Sequence, residues 1–261
     1  MSSDPHSTTL PIRHPAEPRE DSPPVDDWAR IDDIGLDHPV HASLAGPHSH
    51  LSRAVGRAAT YAADVSTFCS VPVAPQPSDW DDLARLLGPG GFADLFSCPE
   101  LPPRQWDPVF TLDGLQMVAP PVVATTADGF PAGVELVELE VEDRPEMLDL
   151  IERTRPGPFW SRTPELGTYL GIRDRGALVA MAGERLRPPG WTEISAVCTA
   201  PEARGHGHAA RLVRALTERI SARGERAFLH VAASNTQAIS VYAGLGFRTR
   251  RNVTFRGFRI P

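Results

Sequence analysis

The run Ala200-Pro-Glu-Ala-Arg204-Gly205-His206-Gly207-His208-Ala209 lies between a strand-like segment, Glu193 to Thr199, and a segment in which Leu212, Val213, Leu216 and Ile220 share one helical face before Gly224 stops it. A glycine turn from strand to helix leaves successive backbone N–H groups bare where the helix dipole adds partial positive charge. The spacing therefore predicts a pyrophosphate cradle. On its own such a loop is weak evidence, because glycine-rich strand-to-helix turns also occur without a ligand.

The surrounding pattern is more specific. Val134 to Val141 alternates as a strand and Arg144 to Arg153 reads as a helix. Arg155-Pro-Gly-Pro-Phe-Trp160 follows as a stiff aromatic loop. Three strand-like runs, 168–172, 178–184 and 191–199, then form a meander. The helix at 207–223 comes next, followed by a strand at 227–232, a short helix at 236–243 and a final pair of extended segments. The earlier part predicts a helix over 40–59, an extended stretch at 65–73, a helix at 79–87, and extended segments at 92–96 and 109–118. The divisions expected are a loose Pro- and Ser-rich arm over 1–34, a small α/β domain over 35–118, a linker over 119–133 and a larger α/β domain over 134–261.

Composition narrows the chemistry. The 26 basic side chains are all arginine, so no lysine can act as a base or Schiff-base former. Cys69, Cys98 and Cys198 are scattered and odd in number, which suits a reducing compartment and neither a disulfide framework nor a zinc ribbon. No apolar run approaches the roughly 20 residues that cross a bilayer, and the start of the chain lacks a targeting pattern. The reading is a cytoplasmic protein with no membrane partner. A net charge of −7 argues against a nucleic-acid partner, although residues 201–261 carry eleven arginines and three glutamates.

Two motifs together support a resemblance. Arg204-Gly-His-Gly-His-Ala209 resembles the acetyl-CoA motif of the GNAT N-acetyltransferases, Gln/Arg-x-x-Gly-x-Gly/Ala. Asn235-Thr-Gln-Ala238-Ile-Ser-Val-Tyr242-Ala-Gly-Leu-Gly-Phe247 resembles the family's Asn-x-x-Ala-x-x-x-Tyr segment. The resemblance covers residues 135–258 and implies a mixed, mostly antiparallel sheet flanked by helices, with acetyl-CoA as cosubstrate and no metal. It implies direct transfer to a primary amine of a small molecule or peptide by a monomer or homodimer. The alternatives are a silent acetyl-CoA-binding module and an enzyme that uses a longer acyl-CoA. The residues implied to contact the cosubstrate are Val197, Cys198, Thr199, Arg204, Gly205, His206, Gly207, His208, Ala209, Asn235, Ala238 and Tyr242, with Tyr242 the acid for the departing thiolate.

Glu193, four residues before Val197 on the same strand, is the expected base, since period-two alternation would put both on one face; Glu184 is the reserve. His206 and His208 read as phosphate-facing or solvent-facing rather than as metal ligands. The amino half lacks both signatures. By analogy it suggests a degenerate copy of the same fold or an unrelated cap, with an acceptor cleft at the junction.

Overall fold

The computed structural model describes residues 33–121 and 131–261. The expected N-terminal arm, apart from Asp33 and Ile34, and the middle of the expected linker lie outside these residues. Two short helices, α1 (Ile34–Asp37) and α2 (Pro39–Ala45), lead into a small sheet of β1 (Ser52–Val55), β2 (Ala58–Tyr61) and β3 (Cys69–Ser70), with α3 (Pro77–Leu87) behind it. The rest of the chain comprises β4 (Phe92–Leu95), β5 (Asp107–Val118), β6 (Val134–Glu138), α4 (Arg144–Thr154), β7 (Tyr169–Asp174), β8 (Ala177–Glu184), β9 (Trp191–Thr199), α5 (His208–Ala222), β10 (Arg226–Ala232), α6 (Thr236–Gly244) and β11 (Arg248–Arg259).

Among the described residues the second sheet has eight strands in the order β4-β11-β5-β10-β9-β8-β7-β6, of which only the neighbours β9 and β10 run parallel. The mixed, mostly antiparallel sheet expected of the fold is present, preceded by the smaller sheet.

Two expectations change. The helix expected over 40–59 ends at Ala45, and residues 52–61 form a hairpin instead. Its alanine-rich sequence is compatible with a helix, but Ala58, Thr60 and Tyr61 are buried in the fold, where strand pairing satisfies their backbone. The last two strands of the 35–118 segment, β4 and β5, lie inside the main sheet, so the expected boundary does not divide it. The physical reason lies in β10. Its pairing with β9 stops after three residues, and β5 satisfies its other edge from Phe228↔Val118 to Ala232↔Gly114.

One face of the sheet packs on α5, where Leu212, Val213, Leu216 and Ile220 meet Leu170, Ile172, Ala180, Ile194 and Leu229. The opposite face is covered in two parts. Met147 and Leu150 of α4 cover Tyr169, Met181 and Cys198, while Leu36, Val40, Tyr61 and Phe68 of the small layer cover Trp191, Phe228 and Phe255.

Gly183 of β8 sits directly under the Tyr169 ring, and a Cβ there would overlap that ring. Gly183→Val is expected to cost at least the roughly 1–3 kcal/mol of an overpacked core, read as a lower urea midpoint. An unchanged midpoint would show that the ring is not seated on β8.

Candidate active site

The site is built on a gap in the sheet. Strands β9 and β10 pair only at Arg226↔Trp191, Ala227↔Thr192 and Phe228↔Glu193, and beyond this they part. A bulge accompanies the parting: between Met181↔Cys198 and Gly183↔Ser195 one residue of β8 faces two of β9, and Ala196 takes φ 51°. Bulges bend and over-twist a strand, and an alanine in the left-handed region stores strain of about 1–3 kcal/mol. The N–H and C=O groups of β9 from Ile194 onward are left without a strand partner on the β10 side.

The bulge also shifts the side-chain phase. Ile194 and Val197, three residues apart, both pack toward α5, while Ala196 and Cys198 turn to the α4 face. Glu193 and Val197 therefore do not share a face as simple alternation predicts.

At one mouth of the gap, the loop before α5 turns through Gly205 at φ 82° and Gly207 at φ 74°. A Cβ at either glycine would meet no protein atom, so the space in front of the loop is open. The backbone N–H groups of Gly205, His206, Gly207, His208, Ala209 and Ala210 have no acceptor among the described residues, and α5 has no side-chain cap. A concave row of bare donors at a helix N-terminus fits a pyrophosphate.

All of these except His206 border a cavity of about 520 Å³ whose wall also includes Val197, Cys198, Thr199, Arg204, Gln237, Ala238 and Tyr242. His206 is outside that wall, exposed and stacked 5.8 Å from His208. His208 is buried, and burial lowers its pKa. Asn235 caps α6 by accepting from the Ala238 N–H at 3.1 Å.

A second cavity, of about 260 Å³, opens from the same gap and shares Pro156, Val197, Asn235, Ala238 and Tyr242 with the first. Its far end is aromatic. Phe96 and Phe255 stack at 4.5 Å, and His230 stands edge-on to both. Phe96 and Leu112 come from the amino half, and Pro156 to Pro158 from the proline loop. Tyr242 is buried, which pushes its phenol up to about 12 and keeps it protonated at neutral pH.

The two glutamates expected as bases are elsewhere. Glu193 is fully buried and borders neither cavity. It accepts from Arg185 Nε at 2.8 Å and Nη2 at 2.6 Å, and from the His230 ring at 2.7 Å. Burial alone would raise its pKa, but the Arg185 guanidinium overrides that and holds it at about 2. A carboxylate so stabilised is a poor proton acceptor, so Glu193 is the counter-charge of Arg185 and not the base. Glu184 is buried on the other side of β8 and paired with Arg223 at 2.8 Å, facing away from the gap.

The buried network continues to Gln116 of β5. Its Oε1 accepts from Arg250 at 2.8 Å, so its Nε2 donates to the Leu36 carbonyl at 2.7 Å and to His230 Nε2 at 3.2 Å. His230 therefore donates from Nδ1 to Glu193 and is neutral; burial lowers its pKa. Arg185, His230 and Gln116 escaped the sequence reading. The available signal was a histidine in an otherwise apolar strand, but its partners Gln116 and Glu193 come from two other strands.

The comparisons with known proteins point to one family. The family model described as FR47-like protein matches residues 169–256. A crystal structure of an acetyltransferase from the GNAT family of Novosphingobium aromaticivorans is 39% identical, with a TM-score of 0.77 over 88% of this chain and 100% of that one. The uncharacterized N-acetyltransferase YobR of Bacillus subtilis (strain 168) is 34% identical over 90 residues, which is 34% of this chain and 36% of that protein. The match thus spans about a third of that curated relative. A GCN5-related N-acetyltransferase from Kribbella flavida, at 19% identity and TM-score 0.61 over 88% of this chain and 97% of that one, shares the fold. The chain belongs to the GNAT family of acetyltransferases.

Glu193→Gln should cost roughly 3–5 kcal/mol by leaving a buried guanidinium unbalanced. In the parent protein, stability should begin to fall as pH drops below about 6.5, where an unfolded His230 takes a proton the folded one refuses. It should fall more steeply from about 4.5 toward 2, as Glu193 is forced to protonate. Urea midpoints across pH 2 to 8 test this, and a flat profile would contradict the buried pair.

Proposed function

We propose that the chain moves an acetyl group from acetyl-CoA to the primary amine of a small molecule or peptide, by direct transfer in a ternary complex. The observation that carries this reading is the row of bare N–H groups from Gly205 to Ala210 at one mouth of the β9–β10 gap, with Tyr242 deeper in the same cavity. In this reading the loop holds the pyrophosphate, and the free edge of β9 at Val197 and Thr199 holds the pantetheine arm. The thioester is then directed to the place where the two cavities meet. The acceptor enters through the smaller cavity.

Tyr242 is the donor to the departing sulfur, and its burial keeps the proton in place. Among the described residues no carboxylate side chain lines the acceptor cavity, and in this reading the amine reacts as the free base, without Glu193 or Glu184. The free state of Cys69, Cys98 and Cys198 supports a reducing compartment. No helix among the described residues is long and apolar enough to cross a membrane.

Acetyl-CoA or CoA at millimolar concentration should raise the melting temperature by mass action. Gly207→Val should abolish that shift while costing the unliganded fold only about 1–2 kcal/mol of left-handed backbone strain. Persistence of the full shift in the variant would remove the loop from the site.

Tyr242→Phe should bind CoA normally and lose about 10²-fold in kcat with an amine that turns over. The parent kcat/KM should climb with pH toward the pKa of the acceptor amine, with no fall from Tyr242 below about pH 10. Full activity in Tyr242→Phe would end its role as donor.

A further inference from the structure

Strand β5 outruns its partner. Its last ladder pair with β10 is Gly114↔Ala232, and the last bond on that side runs from the Ala233 N–H to the Asp113 carbonyl at 2.9 Å. From Asp107 to Leu112 the strand pairs with β11 alone, so its other edge carries no strand among the described residues. Backbone groups alternate in direction along a strand, which turns the N–H and C=O of Thr111, like those of Asp113, to the open side.

The edge is also apolar. Val109, Phe110 and Leu112 are 50%, 38% and 44% exposed. An edge of this kind is a template for another strand, and folded proteins ordinarily cover or charge it. Leu112 is at the same time part of the wall of the smaller cavity, with Ala232 and Asn235. The open edge therefore begins where that cavity ends, and a chain leaving the cavity at Leu112 would run along β5 toward Asp107, antiparallel to it.

A second copy fits this edge poorly. A two-fold pairing that sets Val109 opposite Thr111 of the other copy also opposes Asp107 to Asp113 at both ends, and like charges face to face destabilise a ladder. The stretch from Asp107 to Leu112 spans only about 20 Å, far short of the roughly 20–30 residues a side of a stable interface. The two aspartates are exposed and make no ion pair among the described residues, so they suit a chain with basic side chains.

The chemistry of the cavity selects the amine. Among the described residues no carboxylate side chain lines it, and an acceptor without a base has to arrive already neutral. At pH 7.5 about a quarter of a peptide α-amine is unprotonated, against about a thousandth of a lysine side chain. The volume of about 260 Å³ is below the ~300–1,000 Å³ of drug-sized sites and takes the first residue of a chain, not its length.

We propose that the acceptor is the N-terminal α-amine of an extended, basic peptide, whose first residue enters the smaller cavity and whose following residues add as a strand to the open edge of β5. The neutral nitrogen bonds to the acetyl carbon as the C–S bond breaks. Tyr242 protonates the sulfur, the nitrogen releases a proton to water, and Tyr242 regains one from water. The assignment rests on the acetyl-transfer reading of the same cleft.

The peptide Ala-Val-Arg-Val-Arg-Val-amide has one reactive amine, and alaninamide has the same first residue without the strand. With acetyl-CoA the hexapeptide is expected to exceed alaninamide by at least about 10²-fold in kcat/KM. Backbone N-methylation of the peptide at its residues 3 and 5, or at 4 and 6, separates the two edges of the added strand. One set should lose about 10-fold and the other little, because only one set turns its N–H groups to β5. Thr111→Pro removes an outward N–H without touching a bond to β11, and should lower kcat/KM for the hexapeptide about 10-fold through KM with alaninamide unchanged.

Equal kcat/KM for hexapeptide and alaninamide, no turnover of the hexapeptide, or equal effects of the two N-methylated sets would overturn the strand site. The peptide comparisons use the parent protein, so they decide even if Thr111→Pro does not fold. A concentration-dependent dimer that Thr111→Pro dissociates would give the edge to a second copy and also overturn the proposal. Failure of CoA to shift the melting temperature would instead overturn the acetyl-transfer reading, and calorimetry of the hexapeptide against its two N-methylated forms without CoA would still decide the edge.

Discussion

Beyond Phe228, β9 and β10 stop pairing, and the rest of the site is placed by that separation. A buried central strand cannot leave its backbone groups unsatisfied without cost. The fold answers on the two sides of the gap in different ways. The β10 strand keeps a full antiparallel partner in β5, while β9 is pinned to β8 through a bulge at Ala196 and leaves its other edge open. The open edge, the bare loop before α5 and the capped start of α6 all face one continuous space.

The same separation explains the large investment in a buried charge pair. Glu193 lies at the last paired position of β9, where the strands begin to diverge, and Arg185 and His230 close on it from either side. A buried ion pair is seldom a net source of stability, but once built it cannot lose one member cheaply. Here it fixes the His230 tautomer through Gln116 and holds the Arg185 guanidinium against Phe96. The smaller cavity consequently has a rigid floor on which the formal charges of Arg185 and Glu193 cancel.

The amino half completes that floor. Phe96 and Gln116 belong to or adjoin strands contributed by the first 118 residues, and α1 and α2 seal Trp191 and Phe228. The amino half thus reaches the wall of the smaller cavity through Phe96 and Leu112, while the small layer covers the sheet.

The loop from Arg204 to Ala209 and the segment from Asn235 to Tyr242 were legible in the sequence because each is a local arrangement: glycines that permit positive φ, a helix start, and an i to i+7 spacing along one helix. The periodic strands and helices of the carboxyl half were legible for the same reason. Glu193 was misjudged because an alternation rule assumes an unbroken strand. The bulge at Ala196, with the pairing of β9 to β8 that creates it, is a property of two strands. Arg185, His230, Gln116 and Tyr169 are single polar residues in separate segments, and nothing local marks them. The sequence by itself determined the glycine loop before α5 and the order of the elements in the carboxyl half. Only the tertiary structure decided which charges are buried together, because that depends on register and packing across chain separations of more than 100 residues.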